Sequence, residues 1–521
     1  MNESQKPNVD FAASVPVDYL SDESRKTGTA DAIAFPQSVE DISSLARAAA
    51  ETGVKDITVQ GSRTGIAAGA VPDGGVIINL SRMNRIAAGR IDQEGKAYLR
   101  VQPGLTLAEL RRHLNTFSVN GAVQPAKWMF TPDPTETSAS IGGMAACNAS
   151  GACSFAYGPT RKHIEALTIV LSDGETICLA RGRERASGLR FCLKTDSGRL
   201  LKGELPRLKM PDVKNASGYW IRPDMDMLDL FIGSEGTLGI IADIELRLHP
   251  KPPGTLGVLC YFADESDTLR FIHKLREAAP AMSPDLLAAI EYFDDGALKL
   301  IRENALGMGL LLPTPKLHWS FALYIEWSLA SGGEAPADLT DRLLTECGGR
   351  GSDTWVAADT PALDKLRIFR HAVPEQVNAI IAERKRGCPD LTKLGTDLSV
   401  PDGRLLDVMR LYRRDLFDAN LEHVIFGHIG NNHLHVNILP RDMDEYSRGK
   451  ELYSSWARKV VDWGGSVSAE HGIGRLKKEL LAMMYGPETI AGMRMLKNLF
   501  DPAQRLNAGR LFDCLQTPGK Y

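Results

Sequence analysis

Residues 60–69 read Gln-Gly-Ser-Arg-Thr-Gly-Ile-Ala-Ala-Gly, and they follow a strand-like run that begins at Asp56. A strand that runs into a loop of small residues leaves its backbone N–H groups open to a phosphate, because few Cβ atoms stand in the way. Arg63 and the hydroxyl groups of Ser62 and Thr64 add donors for an anion. This stretch therefore predicts a phosphate-binding loop.

Two further glycine clusters lie in the same half of the chain, at residues 140–146 (Ser-Ile-Gly-Gly-Met-Ala-Ala) and 233–239 (Gly-Ser-Glu-Gly-Thr-Leu-Gly). The first opens a predicted helix whose N-terminus favours phosphate, and the second leads into a strand. A single glycine cluster is more often a tight turn, but three within one domain favour a large diphosphate-bearing ligand. The absence of G-x-G-x-x-G after a strand, of a P-loop motif and of G-x-S-x-G argues against a Rossmann site, an NTPase and a hydrolase.

The composition is that of a folded protein, with 521 residues of which 43% are hydrophobic and 24% are charged. The net charge of −4 argues against a broad nucleic-acid-binding surface, so no nucleic-acid partner is expected. No run of 18 apolar residues predicts a membrane span, and the polar first residues do not resemble a signal peptide. The eight cysteines form no C-x-x-C pair, and we expect them to be small core residues in a reducing compartment. These features predict a cytoplasmic location, with peripheral attachment to a membrane left open.

Hydrophobic periodicity predicts an α+β fold in two main parts. In the first part it predicts a capped helix over residues 38–52, a helix from Ser140, and strands over 56–60, 75–80, 98–102, 164–171 and 239–248. The proline-rich segment 249–254 ends this part. Beyond it, an antiparallel sheet covered by helices is predicted from strands near 255–262, 318–326, 392–398 and 423–438 and helices near 265–278, 336–346, 361–383 and 401–418. Residues 442–462 and 474–500 are also predicted to be helical.

Several segments together resemble FAD-linked oxidoreductases of the vanillyl-alcohol oxidase/p-cresol methylhydroxylase (PCMH) fold. They are residues 57–86, 132–134, 140–143, 157–158, 233–241 and 506–510, the last reading Leu-Asn-Ala-Gly-Arg where the family has L-N-P-G-K. The resemblance implies three units: a PCMH-type FAD-binding domain of two subdomains (1–252), an α+β substrate-binding cap domain with an antiparallel sheet (253–460), and a C-terminal segment (461–521) that packs back toward the flavin.

The same resemblance implies which residues bind FAD. They are Gly61, Ser62, Arg63, Thr64, Gly65, Pro132, Asp133, Ser140, Gly142, Gly143, Gly236, Gly239, Ile241 and Asn507. The chain departs from the family at Ser62 and Arg63, where two glycines are usual. Thr64 stands in place of a histidine that would carry a covalent flavin, which implies that the FAD is noncovalent.

Histidines form a second constellation, because five of the eleven lie within residues 423–471. Two of them, His428 and His435, flank a predicted tight turn between two strands, which would place both imidazoles on one side. Glu470 and His471 add a carboxylate beside another imidazole. Two histidines and a carboxylate suit a divalent metal such as zinc or manganese, although a hydrogen-bonded histidine cluster without a metal fits the residues alone.

The histidine segments resemble the G-H-x-G-D-G-N-x-H-x-N and E-H-G-I-G motifs of FAD-dependent D-2-hydroxyacid dehydrogenases, which include D-lactate and D-2-hydroxyglutarate dehydrogenases and the FAD subunit of glycolate oxidase. The resemblance implies that His428, His435 and Glu470 hold the metal, that Asn437 touches the substrate and that His471 is the general base. Residues 431–433 read Asn-Asn-His where the family favours Asp-Gly-Asn. His433 is therefore open to three interpretations: a further ligand, a reshaped turn or a solvated turn histidine. His423 is expected to be a strand residue.

Residues 369–375 read Phe-Arg-His-Ala-Val-Pro-Glu and resemble the family's R-x-x-x-P-E segment, which implies that Arg370 binds the substrate carboxylate; the alternative is a solvated helix arginine. Residues 396–401 resemble the family's D-[LIV]-[SA]-[LV]-P strand. Gly395 replaces the lysine that D-2-hydroxyglutarate dehydrogenases have two residues before the aspartate, which weakens a dicarboxylate substrate unless Lys393 reaches the same place.

The implied reaction is oxidation of a D-2-hydroxyacid, D-lactate-like above all, to the 2-oxoacid by hydride transfer to flavin N5, with a divalent metal and His471 as base. Two alternatives stay open: a metal-independent flavin oxidase or dehydrogenase acting on another alcohol, and a FAD-binding subunit of a glycolate oxidase complex. The expected electron acceptor is a quinone, an electron-transfer flavoprotein or a cytochrome, and a homodimer is left open.

Overall fold

The computed structural model describes residues 10–12, 14–119, 122–123, 127–304, 316, 318–330 and 334–513. Within these ranges, none of the helices combines the length and the apolar character needed to cross a membrane. Cys514 lies outside the described residues.

The described residues form 22 strands and 12 α-helices. The strands are β1 (Asp10–Ala12), β2 (Ala32–Phe35), β3 (Ile57–Gln60), β4 (Val76–Asn79), β5 (Ile86–Ile91), β6 (Ala97–Val101), β7 (Ser118–Val119), β8 (Ala122–Val123), β9 (Trp128–Met129), β10 (Ile164–Val170), β11 (Thr176–Ala180), β12 (Arg190–Lys194), β13 (Leu200–Glu204), β14 (Ile240–Pro250), β15 (Gly254–Phe262), β16 (Leu286–Phe293), β17 (Phe321–Leu329), β18 (Trp355–Ala357), β19 (Leu394–Gly395), β20 (Leu398–Ser399), β21 (His423–Gly427) and β22 (His433–Ile438). The helices are α1 (Val39–Glu51), α2 (Leu107–Leu114), α3 (Ile141–Cys147), α4 (Ser154–Tyr157), α5 (Leu228–Phe231), α6 (Glu265–Ala278), α7 (Asp295–Asn304), α8 (Glu334–Glu346), α9 (Thr360–Gly387), α10 (Leu405–Asp418), α11 (Met443–Asp462) and α12 (Lys478–Phe500).

The first part of the chain contains two sheets, and the phosphate-loop candidate follows β3 of the smaller one. That sheet has the strand order β1-β2-β4-β3, and both pairs that involve β4 are parallel. Helix α1 begins with a capping box in which Ser38 and Asp41 bond each other's backbone N–H groups. Its buried face packs with β3, β4 and the buried residues of β10 and β14, such as Val170 and Ile240. Together they form one apolar layer, which anchors the loop after β3.

The larger sheet of this part has the order β11-β10-β14-β6-β5-β7-β8, with β9 paired to β14. Strand β14 was predicted to stop before the proline-rich segment, but it runs on to Pro250, because β9 pairs with its last two residues. The small strands β12 and β13 form a separate hairpin.

The second part of the chain is built on an eight-stranded sheet of order β18-β15-β17-β16-β21-β22-β19, with β20 paired to β22. Every pair in this sheet is antiparallel, as predicted. The long strands β15, β16 and β17 are almost entirely buried, which fits their continuous apolar sequences. Helices pack on this sheet, and β21 and β22 lie toward the edge where the histidine segment is found.

The end of the chain returns to the first sheet. Ile57 of β3 bridges Leu506 in parallel, and the N–H of Asn507 donates to the carbonyl of Ile57 at 2.9 Å. The tail therefore extends the strand that leads into the phosphate-loop candidate.

Several elements were not predicted by periodicity, among them the helices α2 and α7 and the strands β5, β11, β12, β13 and β16. The two helices have eight and ten residues, shorter than the window in which a period of 3.6 becomes clear.

The cysteine prediction is wrong for most of the described cysteines. Only Cys260 and Cys347 are buried, and Cys178 and Cys192 are exposed. The reason is strand alternation, because each exposed cysteine lies between two buried neighbours that point to the opposite face.

Candidate active site

A long cavity begins at the glycine clusters and ends at the histidine constellation. Of the residues that the resemblance implies for FAD, twelve line this cavity: Gly61, Ser62, Arg63, Thr64, Gly65, Ser140, Gly142, Gly143, Gly236, Gly239, Ile241 and Asn507. The same wall includes His428, Glu470 and His471. One continuous space therefore connects the phosphate-loop candidate with the candidate base.

The cavity wall is shaped for close backbone approach. A Cβ at Gly61 would stand 2.1 Å from Ser140 Oγ, and one at Gly142 would stand 2.5 Å from the Pro103 side chain. Gly65, by contrast, faces open space. Ser140 caps α3 by accepting the N–H of Gly143, so small residues surround both the loop after β3 and the N-terminus of α3. These features fit a diphosphate-bearing ligand such as FAD.

One of the two departures in the loop, Arg63, has an unusual backbone conformation. Arg63 has a left-handed backbone with φ of 61°, which the family's glycine adopts without strain. Its guanidinium lies over the ring of Tyr19, 4.4 Å from the ring centroid, a cation–π contact that offsets part of this cost. Arg63 is thus held partly by a residue outside the loop.

Pro132 and Asp133 are not among the described lining residues, although Pro134 is. Asp133 instead forms ion pairs with Arg111 at 2.8 Å and with Arg370 at 3.4 Å. Burial opposes its ionisation, but the two arginines hold the pKa of Asp133 below its ordinary value. Asp133 therefore lies beside Arg370, the candidate for binding the substrate carboxylate.

The third glycine cluster joins the FAD side of the cavity to the Glu-His-Gly-Ile-Gly loop. The carboxylate of Glu235 accepts the N–H of Ile473 at 2.6 Å and that of Gly474 at 2.7 Å. Asn507 accepts the N–H of Val59 at 2.8 Å and donates to the Glu235 carbonyl at 2.7 Å. Two charge-assisted bonds and one bridging amide thus fix the loop that carries Glu470 and His471.

The histidine turn has the predicted hairpin geometry. Strands β21 and β22 pair so that His435 lies opposite Phe426, and His428 follows β21 directly. Gly427 has φ of +128°, and a Cβ there would stand 2.9 Å from the His435 ring. The glycine therefore lets the two imidazoles share one side of the hairpin.

The three implied metal ligands converge. His428 Nε2 lies 3.3 Å from Glu470 Oε2, and His435 Nε2 lies 3.3 Å from Glu470 Oε1. A tetrahedral metal with bonds of about 2.0–2.2 Å separates its ligand atoms by about 3.3–3.6 Å. The observed spacing therefore fits a divalent metal held by His428, His435 and Glu470.

Partners on the far ring nitrogens orient both histidines. His428 Nδ1 lies 2.7 Å from Glu291 Oε1, and His435 Nδ1 lies 3.0 Å from the carbonyl of Thr396. Because each Nδ1 donates to an oxygen, Nε2 is the nitrogen of each ring that can bind a metal once it has lost its proton. Glu291 is a buried carboxylate at 3% exposure, and this contact accounts for its position in an otherwise apolar strand.

Lys214 enters the same cluster. Its ammonium lies 2.6 Å from Glu470 Oε2, and its side chain is only 4% exposed. Burial opposes ionisation of Glu470, but Lys214 and the neighbouring histidines hold the pKa of this carboxyl well below its ordinary value. Glu470 is thus ionised, and its Oε2 is already paired with the Lys214 ammonium.

Asp397 is the buried anion under the loop. Its carboxylate lies 3.4 Å from His471 Nδ1, 3.0 Å from His433 Nε2 and 2.7 Å from the ammonium of Lys477. It also accepts the hydroxyl of Ser468 at 2.6 Å. Burial opposes the charge, but His471 and Lys477 hold the pKa of Asp397 well below its ordinary value.

His433 is fully buried at 0% exposure, so the interpretation as a solvated turn histidine is wrong. Burial lowers its pKa well below the ordinary value, which keeps the ring neutral. His423 begins β21 and contacts the carbonyl of Leu421 at 2.9 Å through Nδ1, so it is a strand residue as expected.

Arg370 is part of α9 and is nearly buried, which excludes a freely solvated arginine. Burial opposes its charge, but Asp133 and Glu291 raise the pKa of Arg370 above its ordinary value. Glu291 therefore couples the arginine electrostatically to His428. Both hydrogen bonds described for Arg370 involve Nη2, which leaves the donors on Nε and Nη1 for a ligand.

Asn437 lies on β22, where it pairs with Gly395 of β19. Its side-chain Oδ1 is buried and has no hydrogen-bond partner among the described residues. A Cβ on Gly395 would stand 3.0 Å from this oxygen and 3.5 Å from Cε of Lys393. The Lys393 side chain therefore runs through the space beside Gly395.

Sequence reasoning did not assign roles to Lys214, Glu235, Glu291 and Asp397. A carboxylate inside the apolar run of β16 was a usable indication for Glu291, because unpaired acids are rarely buried. The other three act across more than 70 residues of sequence, and no local pattern marks such contacts.

Two family models match the chain. The FAD binding domain matches residues 30–180, and the C-terminal domain of FAD linked oxidases matches residues 253–511.

Known relatives match over most of the chain. The chain is 30% identical over 493 residues to a Danio rerio protein named probable D-lactate dehydrogenase, mitochondrial, with coverage of 94% of this chain and 85% of that protein. It is also 30% identical over 499 residues to a D-2-hydroxyglutarate dehydrogenase of Xanthomonas citri pv. viticola, with coverage of 94% and 90%.

Among solved structures, p-cresol methylhydroxylase with substrate bound is similar in fold, with a TM-score of 0.65 at 15% identity and coverage of 96% of this chain and 93% of that chain. The expected α+β architecture with a PCMH-type FAD-binding domain is thus confirmed. The chain therefore belongs to the FAD-linked oxidoreductases.

Proposed function

We propose that this protein oxidises a D-2-hydroxyacid, D-lactate-like above all, to the corresponding 2-oxoacid. The observation that carries the proposal is the single cavity in which the glycine clusters and the His428, Glu470 and His471 side chains share one wall. The names of the two relatives that are 30% identical support the same substrate class.

FAD, when bound in this cavity, supplies the acceptor for the hydride that leaves C2 of the acid. A divalent metal, zinc or manganese, supplies a Lewis acid that lowers the pKa of the substrate hydroxyl. His428, His435 and Glu470 would hold that metal, since their ligand atoms have the spacing described above.

Arg370 would bind the substrate carboxylate through its free donors, while Asp133 keeps the guanidinium in place. Asn437 would touch the substrate with its amide, whose Oδ1 has no partner among the described side chains. Together these residues position C2 and its hydroxyl between the arginine and the metal ligands.

His471 would take the hydroxyl proton at Nε2. Its Nδ1 faces the Asp397 carboxylate at 3.4 Å and its Nε2 lies 3.4 Å from Glu470 Oε1, so the proton of a neutral ring stays on Nδ1 and Nε2 is the nitrogen that would take the substrate proton. The acid then loses one proton and one hydride and becomes the 2-oxoacid.

The experiment is an anaerobic screen in which flavin bleaching is followed with D- and L-2-hydroxyacids. We expect bleaching by D-acids, and we expect His471→Ala to retain FAD while its flavin reduction slows by about 10²-fold or more. The matched control is His273→Ala, since His273 is an exposed histidine of α6. Bleaching by L-acids at the same rate, or by no 2-hydroxyacid, would overturn the proposal.

Metal analysis separates the metal-dependent reaction from the open alternative of a metal-independent alcohol oxidase. We expect one bound divalent metal per chain and loss of activity in a chelator. A preparation without bound metal that keeps full activity in the chelator would favour the alternative. The class of the electron acceptor and the formation of a homodimer stay predictions.

A second substrate class, a dicarboxylic D-2-hydroxyacid, is favoured by the position of Lys393. Enough protein surrounds its exposed side chain that burial lowers the pKa of Lys393 to about 8. No charged neighbour among the described residues contributes to this shift. An ammonium group without a counter-ion beside Gly395 and Asn437 fits a second substrate carboxylate.

Lys393→Ala tests this class. We expect kcat/KM for D-2-hydroxyglutarate to fall about tenfold to a hundredfold, because a charge-assisted hydrogen bond is lost, while that for D-lactate stays within about twofold. Lys385→Ala, at the exposed end of α9, is the control. An equal fall for both acids would contradict a role in selecting dicarboxylates.

A further inference from the structure

His433 occupies a position at which this chain differs from the motif it resembles, where the residue is asparagine. Its side chain is fully buried, and neither ring nitrogen makes an aligned hydrogen bond with a described residue. Nδ1 in particular is buried with no hydrogen-bond partner among the described residues, and a polar group that loses water needs a replacement.

The position of this ring is defined by three neighbours. Nδ1 lies 4.0 Å from Glu470 Oε2, and Nε2 lies 3.0 Å from Asp397 Oδ1. The ring centroid is 4.5 Å from that of His435. One ligand atom from each of His428, His433, His435 and Glu470 falls within a group whose members are all within 4.8 Å of one another.

We propose that His433 is a fourth protein ligand of the metal, bound through Nδ1. The proposal rests on the proposed function only in so far as a metal binds at His428, His435 and Glu470. The ring needs to move little, because its 4.0 Å contact with Glu470 Oε2 exceeds the ligand spacing of a tetrahedral site by only about half an ångström.

Asp397 completes this arrangement as a positioning residue. Once Nδ1 binds the metal, the proton of the neutral ring is on Nε2, which faces Asp397 Oδ1 at 3.0 Å. A carboxylate on the outer nitrogen is the usual partner of a metal-bound histidine, and it makes the ring a better ligand. The same carboxylate contacts His471, so the metal site and the base share one anion.

The fourth ligand has a consequence for the reaction. Four protein ligands would leave the metal fewer open positions than three would. An asparagine at position 433 would leave one more position open. We therefore expect this chain to hold its metal more tightly and to exchange it more slowly than a variant that carries the family's residue.

The test compares the wild-type holoenzyme with His433→Asn, each stripped with a chelator and reloaded with Zn²⁺ or Co²⁺. X-ray absorption at the zinc edge counts bound imidazoles, and the visible spectrum of the cobalt form reports the coordination number. We expect three imidazoles in the wild type and two in His433→Asn. We also expect Zn²⁺ affinity to fall by at least about tenfold, the smallest loss seen when even an outer partner of a metal ligand is removed.

His423→Asn is the matched control, because His423 is a histidine of the same hairpin whose ring bonds the carbonyl of Leu421 and is not part of the ligand group. Bound FAD in each preparation reports folding. Two imidazoles in the wild type, or unchanged affinity in His433→Asn, would overturn the proposal and leave the proposed function standing. A wild type that takes up no metal and works in a chelator would overturn both.

Discussion

Asp397 is the residue on which the candidate site depends most. Its two carboxylate oxygens contact His433, His471 and Lys477, and they accept the backbone N–H groups of Glu470 and His471 at 3.2 and 3.1 Å. One buried charge therefore sets the ring orientation of the base and the path of the loop that carries it. An asparagine side chain has the same shape as Asp397, but an NH₂ donor replaces one of the two acceptor oxygens.

We predict that Asp397→Asn lowers kcat by about 10²-fold or more, since the base loses the acceptor that fixes its tautomer. The dependence of kcat on pH should change as well, because the charge beside His471 is gone. Steady-state kinetics over a range of pH, with bound FAD measured in parallel, check both effects.

The control is Asp402→Asn, whose carboxylate is mostly exposed and bonds Arg276 and Asn432 instead. An Asp397→Asn enzyme with a wild-type pH profile and a reduced rate would indicate a structural role only.

At the scale of elements, the site depends on three loops brought together by Glu235. This residue follows α5. Its carboxylate accepts two N–H groups of the segment before α12, and its backbone carbonyl accepts the side-chain amide of Asn507 in the tail. Gly472 and Gly474 have φ of +73° and +53°, and a Cβ on either would approach Glu235 or Ala67 within 2.8 Å. The second half of the Glu-His-Gly-Ile-Gly motif is therefore required for packing against the FAD side.

We predict that Glu235→Gln destabilises the protein by about 1–3 kcal/mol, because one of two buried N–H groups then faces an amide NH₂ instead of an oxygen. Bound FAD should dissociate more readily, since the displaced loop forms part of the cavity wall. Thermal unfolding and the release of flavin fluorescence measure the two effects.

Glu245→Gln is the comparison variant, because Glu245 pairs with Arg90, whose side chain is 53% exposed, and such pairs contribute little. Equal melting temperatures for Glu235→Gln and the wild type would show that the contact is not needed.

At the scale of the whole molecule, Asp294 links pH to the stability of the eight-stranded sheet in the second part of the chain. It is fully buried where β16 ends, its N–H donates to Ile425 of β21, and its carboxylate accepts the N–H of Ala297 in α7 and pairs with Arg413 of α10 at 3.3 Å. Burial, only partly offset by Arg413, raises the pKa of Asp294 to about 7. The folded protein therefore binds a proton here more tightly than the unfolded chain does.

We predict that proton binding at Asp294 contributes fully to stability below about pH 4. This contribution is lost as the pH rises through about 7, because folding then has to bury the ionised carboxylate. The free energy of unfolding of the wild type should fall relative to that of Asp294→Asn between pH 5 and 8, by up to a few kcal/mol. Urea unfolding at several pH values measures it, and Asp444→Asn, with a carboxylate that is 79% exposed, is the control. A pH-independent difference would contradict the prediction.

Much of the fold could be predicted from local pattern. The helices α1, α6 and α11 fall within one or two residues of their predicted ranges, because Ser38, Asp264 and Asp442 cap them with side-chain oxygens. Strands β15 and β17 of the second part were predicted because their apolar runs are long. Short helices such as α2 and α7 were not predicted.

The sequence by itself determined the family, the FAD-binding glycine loops, the α+β class and the set of histidines and acids near the end of the chain, because each is a local pattern of residue types. Only the tertiary structure decided that Lys214, Glu291 and Asp397 join that set, that Asp133 pairs with Arg370, and that His433 is buried. The physical reason is that these contacts join residues far apart in the chain, and a charge finds its partner only when packing removes both from water.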